Sequence, residues 1–89
     1  MKRQQVYELI DGERQYQEDM PLHQDKKQQA ETPVASWIIY MENLLAMAKN
    51  KIYYLDEKSA LEYIRKCTAV GVACMEHNET PPRKNPYKK

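Results

Sequence analysis

Residues 33–53 read PVASWIIYMENLLAMAKNKIY and residues 60–77 read ALEYIRKCTAVGVACMEH. The first stretch places apolar side chains at Val34, Trp37, Ile38, Met41, Leu44, Leu45, Ala48 and Ile52. The second places them at Leu61, Ile64, Cys67, Val70, Gly71, Val72, Cys74 and Met75. Both sets follow the i, i+3, i+4, i+7 spacing of a helix with one buried stripe. Only a few residues separate the two stretches, so they predict a long antiparallel helical hairpin over 33–53 and 57–77.

The ends carry their own signals. Thr32 is a good N-cap for the first of these helices, and Pro33 at the first helical position has no N–H to satisfy. Leu55-Asp56-Glu57-Lys58 makes the turn. Ser59-x-x-Glu62 has the form of a capping box for the second helix, with Asp56 as the competing N-cap. Pro81 and Pro82 stop that helix near His77 and Asn78.

Outward from the hairpin, residues 2–18 suggest a shorter helix with Val6, Tyr7, Leu9, Ile10 and Tyr16 on its buried side. Gly12 weakens its middle by about 1 kcal/mol relative to alanine. Residues 19–32, DMPLHQDKKQQAET, are polar and contain Pro21, and they read as a loop. The expected fold is therefore all-α: a short N-terminal helix and a long hairpin in a single domain over 1–80, with a basic tail at 81–89. That tail carries four basic and no acidic side chains from Pro82 to Lys89, and its composition predicts disorder.

Eighty-nine residues give a small core. Two long helices leave much apolar surface uncovered, and Ile39, Tyr40 and Met47 lie outside the main stripe. Association of identical copies is the expected remedy. Small side chains at Ala69, Gly71, Ala73 and Cys74 suggest a close helix crossing, including one across a symmetry axis.

A net charge of +1 gives no reason to expect nucleic acid, apart from contacts by the tail. Residues 1–19 carry no hydrophobic signal core, and the longest nearly apolar run, 67–75, is half a membrane span. Cys67 and Cys74 lie two turns apart, about 10 Å along one helix, too far for a disulfide between them. A cytoplasmic protein that does not touch the membrane is the expectation.

His23 and His77 have no partner at metal-ligand spacing, and the cysteines lack a C-x-x-C arrangement. Cys67 and Thr68 sit among apolar neighbours, which raises a thiol pKa and leaves it inert. Glu42, Glu62 and Glu76 do not form an acidic cluster of the kind that holds magnesium between helices. No metal or other cofactor is expected. What remains suits an anion and a base: Arg14 and Tyr16 near the end of the first helix, Lys26 and Lys27 in the loop, and Arg65 and Lys66 on the last helix. Arginine pairs with phosphate in a forked geometry, and tyrosine offers a stacking face. The candidate ligand residues are Arg65, Lys66 and Thr68 for phosphate, with Arg14 and Lys26, and with Tyr16 or Tyr7 to stack on a base. Without a ligand, Arg65 is expected to pair with Glu62 or Glu57 on a solvated face.

The segments Glu13-Arg14-x-Tyr16-Gln17, Trp37-Ile38, Ile64-Arg65-Lys66-x-Thr68-Ala69-Val70-x-Val72-Ala73-x-Met75-Glu76 and Pro81-Pro82-Arg83 carry a resemblance. The chain resembles small phage-encoded helical proteins distantly similar to MazG-type all-α nucleotide pyrophosphohydrolases, over most of residues 13–83. Enzymes of that kind are oligomeric bundles that use magnesium held by E-E-x-x-E and E-x-x-D motifs. Here the corresponding stretches read Met41-Glu42-Asn43-Leu44-Leu45-Ala46-Met47 and Glu62-Tyr63-Ile64-Arg65, so an arginine stands where a metal ligand belongs. The resemblance implies a scaffold that has lost hydrolysis and kept nucleotide binding, in the host cytoplasm, sequestering a nucleotide or cyclic nucleotide signal of host defence. Two other readings stand beside it: a magnesium-dependent pyrophosphohydrolase using Glu42 and Glu62, and a protein–protein interaction module.

Overall fold

A computed structural model describes residues 1–21 and 26–88, with Lys26 described in its backbone only. Four helices follow in order: α1 (Arg3–Asp19), α2 (Lys26–Glu31), α3 (Val34–Tyr53) and α4 (Glu57–His77). The described residues contain no strand. None of their helices is long and apolar enough to cross a membrane.

The expected helix boundaries hold to about one residue, with one addition. The stretch expected to be a loop over 19–32 contains the short helix α2. Its composition, KKQQAE, holds good helix formers without proline or glycine. Thr32 closes this helix instead of opening the next one. Its hydroxyl donates to the Gln28 carbonyl at 2.8 Å, and Pro33, with extended backbone, becomes the N-cap residue of α3.

At the other end of α3 the chain reverses through a Schellman motif. The Asp56 amide donates to the Lys51 carbonyl and the Leu55 amide to the Ile52 carbonyl, both at 2.9 Å. Leu55 holds the left-handed position of that motif at φ 59°, where glycine is the usual occupant. Asp56, not Ser59, is then the N-cap of α4. Its carboxylate accepts the Ser59 amide at 3.1 Å. The tight turn puts Asp56 at the first free amides, so the expected Ser59–Glu62 capping box lies one turn inside the helix.

Helix α4 is the centre of the molecule, with α3 packed along one side of it and α1 on another. Trp37 stacks on His77, Met41 meets Gly71 and Cys67, and Ala48 and Ile52 share a groove with Glu57 and Ala60. Leu44, Cys67 and Val70 form the core cluster, with Trp37, Met41 and Tyr63 packed against it.

This core is narrower than the periodicity predicted. Leu44, Ala48, Ala60, Cys67, Ala69, Val70 and Ala73 are buried, whereas Val34, Ile38, Leu45, Ile52, Leu61, Ile64 and Met75 are exposed. Two helices in contact share a single seam, which shields only the residues pointing directly at the partner. The small residues of α4 are used within the chain. Ala69 is fully buried, and Met41 Cε sits 3.2 Å from where a Cβ on Gly71 would be.

Helix α1 departs most from expectation. Val6, Tyr7, Leu9 and Tyr16 are exposed, and its packed face is Ile10, Glu13, Arg14 and Gln17. That face keeps the i, i+3, i+4, i+7 spacing with mostly polar residues, so α1 is attached by ion pairs and hydrogen bonds more than by apolar burial.

Candidate functional site

Of the cationic residues proposed from the sequence, Arg14, Arg65 and Lys66 lie along the contact between α1 and α4, and each arginine pairs there with a carboxylate. Arg14 is buried. Its Nε donates to Glu76 Oε1 and its Nη2 to Glu76 Oε2, both at 3.0 Å, while Nη2 also donates to Glu18 Oε1 at 3.0 Å. Two carboxylates already engage the Arg14 guanidinium, which leaves less of it for an anionic ligand.

Arg65 pairs with Glu13 of α1, its Nε donating to Oε1 at 2.7 Å, and not with Glu62 or Glu57 as expected. The reason is tertiary: α1 brings an almost fully buried carboxylate to the guanidinium, which the sequence neighbours on α4 cannot offer. Nη1 and Nη2 of Arg65 make no bond among the described residues. Lys66 places its ammonium 4.9 Å from the centre of the Tyr63 ring, a cation–π contact, and its carbonyl accepts from Gln17 Nε2 at 3.3 Å. The Arg65–Lys66 edge with Glu13 therefore holds two cations against one acid.

The remaining ligand candidates are placed less favourably. Thr68 spends its hydroxyl proton on the Ile64 carbonyl of its own helix at 2.7 Å and keeps only its acceptor capacity. Tyr7 and Tyr16 are both exposed, but nine residues apart on α1 they lie on opposite sides of the helix. The Lys26 side chain and His23 lie outside the described residues.

Nucleophilic groups are occupied as well. The Cys67 thiol donates weakly to the Met41 carbonyl at 3.7 Å, and burial pushes its pKa up. Cys67 and Cys74 are free thiols. Glu42 and Glu62 are exposed, and no three His, Cys, Asp or Glu side chains among the described residues come together where a metal ion could sit.

Among the clefts that the described residues form, two lie along α3 and α4 in places that the motifs did not mark. One of about 300 Å³, with mixed polar and apolar walls, lies where α1 and α2 approach α3 and α4, lined by Arg14, Gln17, Thr32, Ser36, Trp37 and Tyr40 among others. Near it Trp37 and His77 stack with ring centroids 6.0 Å apart, and Trp37 Nε1 and His77 Nε2 are buried without a hydrogen-bond partner among the described residues. The other cleft, about 450 Å³, is an apolar groove between α3 and α4 lined by Leu45, Ala48, Ile52, Ala60, Leu61 and Ile64, with Lys49 and Glu57 also on its walls. A signal for this groove existed in the sequence, since Leu45, Ile52, Leu61 and Ile64 were all counted as stripe residues. Which of them the seam would leave outside was not readable.

No family model, curated protein or solved structure matches this chain.

Proposed function

We propose that this chain is a self-associating, non-catalytic interaction protein, in which α3 and α4 act as an antiparallel hairpin that completes its core against identical copies. The supporting observation is surface area. The chain exposes 7748 Å², whereas a compact protein of this mass exposes about 5,500 Å². The extended tail beyond Thr80 accounts for about half of that excess, on the scale of unfolded-chain area per dalton. About 1,000 Å² is left, close to the ~800 Å² that each partner buries in a standard interface. The radius of gyration agrees: 14.9 Å, against about 12 Å for a globular chain of this length.

The exposed residues are also of the right kind. Ile38, Ile39, Leu45, Met47, Ile52, Leu61 and Ile64 are each more than two-fifths exposed on the two long helices. Monomers seldom leave such contiguous apolar faces in water. Sedimentation equilibrium at micromolar concentration tests this reading. A mass at a multiple of 10.6 kDa is the expected result, and a single ordered subunit at every concentration would refute it.

A second reading is favoured by the Arg65–Lys66 edge. There the assembly binds an anionic small ligand, a nucleotide or cyclic nucleotide, through the two unbonded Nη groups of Arg65 and the ammonium of Lys66. Calorimetric titration with nucleoside triphosphates and cyclic nucleotides tests it. Binding that survives Lys66→Glu and Arg65→Gln unchanged would remove the assignment.

A further inference from the structure

We infer that the groove between α3 and α4 is where a second copy of this chain docks, with Lys49 of each copy against Glu57 of the other. The inference rests on the self-association proposed above and names its surface. The groove has the makings of half an interface. Leu45 and Ile52 form one wall and Leu61 and Ile64 the other, and these four are 42–65% exposed although the floor, Ala48 and Ala60, is buried. The side chains flanking the seam thus stand up as two ridges with a trough between them, which a matching pair of ridges can close over.

Charge argues for an identical partner rather than a foreign one. Among the groove-lining residues are one cation, Lys49 on α3, and one anion, Glu57 at the start of α4, on opposite walls. Neither makes an ion pair among the described residues. A two-fold axis running along the groove lays α3 of one copy over α4 of the other. Lys49 then faces Glu57 twice, once from each side, and both charges are satisfied by one symmetric contact. The lysine stem lies along the apolar wall while its ammonium reaches the carboxylate. A partner of different sequence would need the mirrored pair of charges by coincidence, and a purely acidic or basic partner would leave one of the two opposed.

The area matches too. The groove is flanked by two apolar ridges, and the ~1,000 Å² of excess surface left after the tail is what one side of a stable dimer hides. Helix α1 covers α4 from another side, through Glu13, Arg14 and Gln17, and leaves the groove open.

The test mixes isotope-labelled and unlabelled full chain in equal parts, joins touching amines and carboxylates with a zero-length carbodiimide, and identifies the joined peptides by mass spectrometry. Mixed-isotope Lys49–Glu57 links are expected. Lys49→Glu should weaken the dimer about tenfold, from two exposed pairs turned repulsive, and Lys49→Glu with Glu57→Lys should restore it. Both positions are exposed, so circular dichroism should report unchanged helix. Leu61→Glu should abolish dimerisation whatever the charges do. A dimer with no mixed-isotope link, indifferent to all three variants, overturns the groove assignment and leaves self-association standing. A monomer at every concentration overturns both and returns the groove to a partner of another sequence.

Discussion

Arg14 grips both carboxylate oxygens of Glu76 through Nε and Nη2 at 3.0 Å each, tying the middle of α1 to the last turn of α4. The arginine side chain is nearly buried and the glutamate almost half exposed, so the pair is a tether at the protein surface with one foot inside. Glu76→Ala should destabilise the fold by about 1–2 kcal/mol, less than a fully buried pair because water screens the glutamate and Glu18 still holds the cation. Urea titration measures the loss. Hydrogen exchange should rise in α1 first, while α3 and α4 keep their protection; uniform loss across all helices would show that α1 is not tethered this way.

The two glycines should respond differently to alanine. At Gly12 an added Cβ meets nothing within 4 Å, and the site is an exposed helix interior. Gly12→Ala should stabilise by about 1 kcal/mol through helix propensity alone. At Gly71 the Cβ would lie 3.2 Å from the flexible end of Met41. There the same propensity gain is partly spent moving the methionine, so the net change should be smaller than at Gly12. Thermal unfolding of the two single variants, compared side by side, checks the order.

Leu55 occupies a left-handed backbone position at φ 59° while its side chain is 91% exposed. The side chain contributes almost no burial, and the backbone strain of a non-glycine residue there costs about 1 kcal/mol. Leu55→Gly should therefore raise stability by roughly 0.5–1 kcal/mol despite removing a large apolar residue. A loss in chemical denaturation would mean that Leu55 is covered in solution, which would itself mark an interface at the turn.

Asp56 gives the clearest pH dependence. Hydrogen bonds from the Ser59 side chain and amide hold its carboxyl below the ordinary carboxylate range, with a smaller contribution from Lys51. A pKa lowered in the folded state means the charged cap favours folding. The contribution is complete above the unfolded aspartate value and is lost as pH falls through the folded one. Asp56→Ala should lower the melting temperature by about five degrees at neutral pH, in line with the loss of one N-cap. The difference between wild type and variant should shrink in acid. A gap that persists below both values would assign the effect to something other than the cap.

How much of this was legible in the chain depends on the kind of interaction. Helices α3 and α4 could be read because their apolar period repeats over five turns each and because Pro33 and Pro81-Pro82 punctuate them locally. The short α2 was missed, since six residues with a single alanine among polar side chains carry no period. The Schellman reversal at Leu55 was missed because a leucine stands where glycine would announce the motif. At the candidate site, the sequence pointed to Arg14, Arg65 and Lys66 as a cationic set but not to their partners. Glu76 is 62 residues from Arg14 and Glu13 is 52 from Arg65, separations at which neither spacing nor propensity carries information.

By itself, then, the sequence determined that this protein is helical, where its long helices begin and end, and that they have more apolar surface than one another can cover. These are consequences of backbone propensity and side-chain periodicity, which act over three or four residues. Only the tertiary structure decided which apolar stripe became the seam, that α1 is docked through charges, and that Leu45, Ile52, Leu61 and Ile64 were left outside. That choice belongs to packing geometry: a helix has several faces, and which one is buried is settled by the neighbour that arrives there.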